Sequence, residues 1–137
     1  MTRCLELNKL HTHYETSHIL FDVSLQVNQG ESVCLLGRNG AGKTTTLKSI
    51  MSLAPPSAGS ISFNGVELAG RAPYEIARLG IGYVPDERLI FPDLTVRENL
   101  EIAIKRGAAG APAPWTVDRI YELFPVLAPL DARLGGY

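Results

Sequence analysis

Gly37-Arg38-Asn39-Gly40-Ala41-Gly42-Lys43-Thr44 has the pattern Gly-x-x-x-x-Gly-Lys-[Ser/Thr] of a phosphate-binding P-loop. The glycines let successive backbone N–H groups turn inward around phosphate oxygens, and the helix that follows adds the positive end of its dipole. Lys43 has the length to contact β and γ phosphates, and the Thr44 hydroxyl is a ligand for Mg²⁺. The sequence therefore predicts a nucleotide phosphate site in this stretch.

Apolar residues flank the loop on both sides. Val33–Leu36 is an unbroken apolar run just before it, within the segment 31–36, and is typical of a strand buried on both faces of a sheet. After the loop, apolar residues recur at helical spacing before Pro55-Pro56 stops the helix: Leu47, Ile50, Met51 and Ala54. Strand, glycine loop and helix follow in the order that a P-loop needs; the alternative is an incidental glycine turn.

The composition fits one domain. The chain has 137 residues, of which 45% are hydrophobic, and its formal net charge is −1. This balance argues against a strongly basic nucleic-acid surface, so no nucleic acid partner is expected. No apolar run approaches the ~20 residues that span a bilayer, and Met1-Thr2-Arg3 leads straight into a strand pattern with no signal peptide.

The cysteines and histidines lack metal or redox spacing. Cys4 and Cys34 are predicted to be reduced packing residues of a cytosolic protein. His11, His13 and His18 lie close together in sequence, without a cysteine or carboxylate pattern around them. They are predicted to be surface or loop residues rather than metal ligands.

Antiparallel strands are expected around the P-loop. The predicted elements are an edge strand at residues 3–10, a strand at 19–28, a hairpin turn at Asn64-Gly65, a short helix from Pro73 to just before Gly80, and a short buried strand at Ile81–Val84.

The last third of the chain has helical patterns on either side of a low-complexity stretch. Thr95 and Glu98 have the spacing of a capping box, and Gly107–Pro114 is typical of a mobile loop or linker. Thr116 or Asp118 then opens another helix. The apolar face of the capped helix would be Val96, Leu100, Ala103 and Ile104.

These residues together resemble the nucleotide-binding subunit of an ABC transporter, and within that family the subunit that powers uptake of branched-chain amino acids. The matching stretches cover nearly the whole chain: Tyr14, Val23–Leu25, Gly30-Glu31, the P-loop, Ser49–Pro56, Gly59–Gly65, Ile81–Pro85 and Ile90–Leu100. The resemblance implies an α/β fold of the P-loop NTPase (ABC ATPase) type. An N-terminal antiparallel β subdomain would accompany the P-loop strand and helix.

The resemblance also implies roles for single residues. Tyr14 would stack on adenine, with an ordinary strand-edge tyrosine as the alternative. The phosphates of ATP would be surrounded by Gly37, Asn39, Gly40, Ala41, Gly42, Lys43, Thr44 and Thr45. Asp86 stands where most of the family has the glutamine of the Q-loop. With Thr44 it would ligate Mg²⁺, although a carboxylate is shorter and donates no amide hydrogen bond. The alternative for Asp86 is a solvated loop carboxylate.

Three family motifs do not occur in the sequence: the Asp-Glu pair after a four-residue apolar strand, the Leu-Ser-Gly-Gly-Gln signature and the switch histidine. The resemblance therefore implies an incomplete cassette. It has a β/P-loop portion at 1–93, the start of a helical subdomain at 94–137, and a flexible linker at 107–115. No catalytic residue is assigned beyond phosphate stabilisation by Lys43 and the Q-loop position of Asp86, and turnover by this chain alone is not expected.

The function implied is that of the ATP-binding, energising subunit of an importer, held at the cytoplasmic face of the membrane by permease subunits that contact Asp86 to Leu100. It would pair with a second ATP-binding subunit, identical or different. Alternatives are a truncated nucleotide-binding module without turnover, and the same type of subunit serving uptake of urea, amides or other amino acids. A P-loop kinase or GTPase is disfavoured because the Asn64-Gly65 hairpin and the Phe91–Leu100 segment have no place in those folds, and because the GTP-specifying pattern Asn-Lys-x-Asp does not occur.

Overall fold

The computed structural model describes residues 2–87, 89–104 and 115–136. The chain forms two compact units, unit 1 (Met1–Tyr83) and unit 2 (Val84–Tyr137). The elements of unit 1 in chain order are β1 (Arg3–Tyr14), β2 (Ser17–Asn28), α1 (Lys43–Ile50), β3 (Ala58–Phe63), β4 (Val66–Glu67) and α2 (Pro73–Arg78).

Unit 1 is built on a four-stranded antiparallel sheet in the order β2-β1-β3-β4. On β1, Leu7 pairs with Leu25 of β2 on one side and with Ile61 of β3 on the other. The prediction that residues 3–10 form an edge strand is therefore wrong, because this strand has two neighbours and continues to Tyr14. Alternation of apolar residues reports which face of a strand is buried and says nothing about its number of neighbours. The strand predicted at 19–28 is confirmed as β2.

The hairpin between β3 and β4 is confirmed at the predicted turn. Phe63 pairs with Val66, and the two residues between them have positive φ, 48° at Asn64 and 78° at Gly65. Positive φ at both central positions is the requirement of a type I′ turn, which suits asparagine followed by glycine.

The hydrophobic core of unit 1 is formed by residues of the sheet, of α1 and of α2. Its buried members are Leu7, Leu10, Leu20, Ile50, Met51, Ile61, Leu68 and Ile76. Each large aliphatic side chain removed from water contributes about 1.5–3 kcal/mol. α2 begins at Pro73 and ends before Gly80, as predicted, and brings Ile76 into this core.

The P-loop helix α1 is shorter than the apolar pattern predicts. It ends at Ile50, and Ser52 has a left-handed φ of 53°, so the chain leaves the helix before Pro55. Leu47, predicted for the packed face, is 45% exposed. The buried residues of α1 are Ile50, as predicted, and the three polar residues Thr45, Thr46 and Ser49.

Residues 31–36 are not a strand, and the prediction of a doubly buried strand there is wrong. Val33 and Leu36 are exposed, Leu36 to 88%, and so is Cys34, which corrects its expected packing role. Among the described residues, no segment pairs with 31–36. An apolar run becomes a buried strand only when neighbouring strands supply hydrogen bonds and cover its faces.

Ile81–Val84 also lacks a strand, contrary to prediction. Ile81 and Tyr83 pack partly buried against the core of unit 1, whereas Val84 is 90% exposed. His13 is exposed as predicted, whereas His11 and His18 are half-buried, and all three lie on the paired strands β1 and β2 and not in loops.

Unit 2 contains α3 (Val96–Ile102), α4 (Val117–Leu123) and a 3₁₀-helix (Pro125–Leu130). The capping box is confirmed, because the Glu98 amide donates to Thr95 Oγ1 at 3.2 Å and the Thr95 amide donates to Glu98 Oε2 at 2.7 Å. α4 is capped by Thr116, the first of the two predicted positions. No residue of α3 is buried, and Ala103 and Ile104 of its predicted apolar face are exposed.

Long-range contacts hold the chain around the start of α3. Asp131 accepts from Arg97 Nε at 2.9 Å and from the Tyr121 hydroxyl. The Asn99 side chain binds the peptide groups of Phe91, accepting from the Phe91 amide at 2.9 Å and donating to its carbonyl at 3.0 Å. Polar contacts therefore organise this part of unit 2.

The linker predicted at Gly107–Pro114 lies outside the described residues. In the portion that the structure describes, no helix is long and apolar enough to cross a membrane.

Candidate functional site

The glycines of the P-loop adopt conformations that other residues avoid. Gly40 has φ 83° and Gly42 has φ 89°, both in the left-handed region. A β-carbon on Gly42 would lie 2.6 Å from Leu20 Cδ2 of β2, whereas one on Gly40 would meet nothing within 4 Å. The loop therefore rests against the sheet at Gly42 and is open at Gly40.

The helix starts directly after Gly42. The Thr46 amide donates to the Gly42 carbonyl at 2.8 Å, and the Thr46 hydroxyl donates to the same oxygen at 2.9 Å. The first hydrogen bond of the helical ladder is therefore accepted by this carbonyl, and the start of α1 lies at the end of the glycine loop. A helix end of this kind favours an anion beside it.

Lys43 folds back over the loop. Its Nζ donates to the carbonyls of Gly37 and Arg38, both at 2.8 Å. The Ala41 amide donates to the Arg38 carbonyl at 3.1 Å and closes a turn. The structure thus brings the ammonium group of Lys43 and the glycine loop together.

Polar contacts fix the helix to the sheet beneath the loop. Thr12 of β1 and Ser49 of α1 share a buried hydrogen bond of 2.9 Å between their hydroxyls. Sequence reasoning missed both residues. Thr12 is a polar residue on the buried side of β1 that also carries Leu10. This break in the apolar alternation is the sequence signal that could have identified Thr12 as a buried residue needing a hydrogen-bond partner.

Three further residues were expected at the site: Tyr14, Thr45 and Asp86. Tyr14 ends β1, is 44% exposed and pairs with Ser17 across the turn into β2. The Thr45 side chain is buried, so only its amide can face a ligand. Asp86 is exposed, in a turn of unit 2.

The sequence profile of the ABC transporter family matches residues 20–134. The chain belongs to the ABC transporter family. The match covers most of the chain, from the β2 strand through the P-loop to unit 2, and confirms the resemblance inferred from the motifs.

Curated relatives in this ABC family include transport subunits of different kinds. The "Probable branched-chain amino acid transport ATP-binding protein LivF" of Archaeoglobus fulgidus is 42% identical over 95 residues, which are 69% of this chain and 40% of that protein. The high-affinity branched-chain amino acid transport ATP-binding protein BraG of Pseudomonas aeruginosa is 39% identical over 125 residues, which are 90% of this chain and 52% of that protein. The Nod factor export ATP-binding protein I of Cupriavidus pinatubonensis is 42% identical over 102 residues, 74% of this chain and 31% of that protein.

Solved structures of ABC ATP-binding proteins share the fold. An ATP-binding subunit of an ABC transporter is 40% identical, with a TM-score of 0.64, covering 73% of this chain and 41% of that one. A nucleotide-free ATP-binding cassette is 23% identical, with a TM-score of 0.69, covering 98% of this chain and 58% of that one; this likeness shows the fold alone. The predicted α/β fold of the ABC ATPase type is confirmed. This ABC chain spans about half the length, or less, of the curated relatives it matches.

Proposed function

We propose that this chain binds Mg·ATP at its P-loop and is part of the energising subunit of an ABC importer of branched-chain amino acids. The observation that carries the proposal is the placement of Lys43, whose ammonium group lies 2.8 Å from the carbonyls of Gly37 and Arg38. The Lys43 ammonium group is thereby held at the P-loop, where the following helix α1 begins and adds the positive end of its dipole.

The donor set fits a polyphosphate. Main-chain amides of the loop, one ammonium group and the Thr44 hydroxyl match the hydrogen-bond acceptors of phosphate and the oxygen preference of Mg²⁺. The open space at Gly40 lets a ligand approach the backbone closely. In this proposal Mg·ATP supplies the phosphoanhydride and its charge, while Lys43 and the amides bind and orient the β and γ phosphates.

Two further residues belong to the proposed site. Tyr14 offers an exposed ring at the end of β1, on which adenine would stack. Asp86 offers a carboxylate oxygen for Mg²⁺, the role that the Q-loop position suggests. Both assignments depend on the family resemblance.

Import of branched-chain amino acids is favoured by the names of LivF and BraG, of which BraG matches over 90% of this chain. Permease subunits would contact the segment from Asp86 to Leu100, in which Ile90 and Phe91 are more than half exposed. A second ATP-binding subunit would complete the site. The chain would then lie at the cytoplasmic face of the membrane.

The binding test uses the 137-residue chain and a fluorescent ATP analogue with Mg²⁺. Lys43→Ala should weaken binding about tenfold or more, since loss of one charge-assisted contact costs about 1.5–3 kcal/mol. Lys48→Ala, on the same helix α1, is the matched control and should leave affinity unchanged. Equal affinity of the parent and Lys43→Ala would refute the phosphate assignment.

The transport test uses the source organism. Lys43→Ala at the chromosomal locus should lower uptake of labelled leucine and leave uptake of an unrelated solute intact. Normal leucine uptake together with impaired ATP binding would refute the proposal that the transporter carries branched-chain amino acids and would leave the proposed ATP site standing.

A nucleotide-binding module without turnover is the second candidate. It is favoured by the lack of an Asp-Glu pair after an apolar strand in this sequence. Phosphate release from Mg·ATP by the purified chain, abolished by Lys43→Ala, would refute it.

A further inference from the structure

A histidine cluster lies on the β1–β2 hairpin. His11 Nδ1 and His18 Nε2 are 3.1 Å apart. The ring of His18 also stacks on His13 at a centroid distance of 4.0 Å and lies 3.7 Å from the ring of Phe21. Asp22 Oδ1 is 3.9 Å from His11 Nε2.

His11 also lies near an acidic residue. Its Nε2 is 3.9 Å from Oδ1 of Asp22, too long for a hydrogen bond but close enough for the carboxylate to attract a cation electrostatically.

We propose that His11 and His18 form a two-imidazole chelate for a divalent first-row metal ion of the Cu²⁺ or Zn²⁺ class. The ion would replace the proton now shared between His11 Nδ1 and His18 Nε2. With metal–nitrogen bonds of about 2.0–2.1 Å, nitrogens 3.1 Å apart subtend an angle of about 98° at the metal. This lies between the square-planar and tetrahedral angles that copper and zinc adopt.

His13 is not assigned as a ligand. Its ring stacks on the ring of His18 at a centroid distance of 4.0 Å, and its Nδ1 is 2.9 Å from the Ser57 hydroxyl.

The chelate would be open to solvent. In the segments that the structure describes, no group of three or more histidine, cysteine or acidic residues could hold a metal ion. Two imidazoles would therefore share the ion with water molecules, which makes binding exchangeable. The ion would join β1 to β2 three residues before Tyr14 and would stabilise the hairpin by mass action.

The test is calorimetric titration of the tag-free 137-residue chain with CuCl₂ and ZnCl₂ in a Cys34→Ser background, which removes the exposed thiol. We expect one ion per chain. His11→Asn and His18→Asn should each weaken binding about tenfold or more, and His13→Asn, the matched control, should weaken it less than about threefold.

Stability differences among variants are controlled by comparing the metal-induced shift in thermal midpoint of each protein with its own metal-free form. A shift in the parent and in His13→Asn, with none in His11→Gln or His18→Gln, supports the site. Parental affinity in His11→Asn and His18→Asn overturns the proposal, as does equal loss in His13→Asn. Nitrogen couplings in the Cu²⁺ spectrum from fewer than two imidazoles also overturn it.

Discussion

Replacing Gly42 with alanine tests how the P-loop is held against the sheet. The new Cβ would lie 2.6 Å from Leu20 Cδ2 and 3.6 Å from the Ile19 carbonyl oxygen, and the residue would keep a φ of 89°. The same change at Gly40 meets nothing within 4 Å at a similar φ of 83°. The two glycines therefore differ in contact and share the backbone conformation.

The expected costs follow from these contacts. A left-handed conformation costs a non-glycine residue about 1–2 kcal/mol, and overpacking against a buried side chain adds about 1–3 kcal/mol. Gly40→Ala should lower the free energy of unfolding by the first amount, and Gly42→Ala by both, about 2–5 kcal/mol in all. Urea unfolding followed by circular dichroism measures the difference.

Leu20→Ala separates the steric cost of Gly42→Ala from its backbone cost. Leu20 is 2% exposed, so its truncation alone should cost about 2–5 kcal/mol. In the double variant with Gly42→Ala, the space left by leucine should absorb the new methyl group, and the combined loss should fall short of the sum by about 1–3 kcal/mol. Equal losses for Gly40→Ala and Gly42→Ala, or strict additivity with Leu20→Ala, would refute the reasoning.

Three smaller predictions concern polar contacts. Thr12→Val leaves the Ser49 hydroxyl buried without its partner and should lower the free energy of unfolding in urea by about 1–3 kcal/mol. Adding Ser49→Ala to the same chain should restore most of this stability. A further loss of stability in the double variant would contradict the reasoning. Hydrogen bonds from the amide of Thr95 first, and from its hydroxyl second, lower the pKa of Glu98 in the folded state. The Glu98 carboxylate therefore stabilises the folded state fully above its unfolded pKa of about 4.3. This stabilisation is lost as the pH falls through the lower folded pKa. Glu98→Gln should flatten thermal midpoints between about pH 5 and pH 2, and an unchanged slope would exclude this source. Hydrogen bonds from the Tyr121 hydroxyl first, and from Arg97 second, lower the pKa of Asp131. Asp131→Asn should therefore also reduce the loss of thermal stability at acid pH. Amide hydrogen exchange in α3 should become faster in this variant, and unaltered exchange would contradict the role of the contact.

The parts of the fold that depend on neighbours in sequence were predictable. Gly37 to Thr44, the Asn64-Gly65 turn, the proline that opens α2 and the Thr95–Glu98 box each fix local backbone through residue type alone, and the structure has all of them. The glycines and Lys43 were also predictable as a group, since a loop and the first turn of a helix span few residues.

The predictions that failed depended on residues far away. Val33–Leu36 and Ile81–Val84 have strand composition, but a strand needs partners, and the described chain offers these segments none. The position of β1 between β2 and β3 depends on pairing across more than fifty residues. The Thr12–Ser49 bond could not be derived either, because hydroxyl pairing requires knowing which helix packs on which strand.

The side chain of Lys43 is held by two carbonyls of its own loop. Fixing a long, flexible side chain costs up to about 2 kcal/mol of conformational entropy, and two carbonyls already hold this one. An incoming phosphate would therefore exchange partners with an ordered cation. Nucleotide binding here should show a smaller entropic penalty in calorimetry than at a loop whose lysine is free in solution.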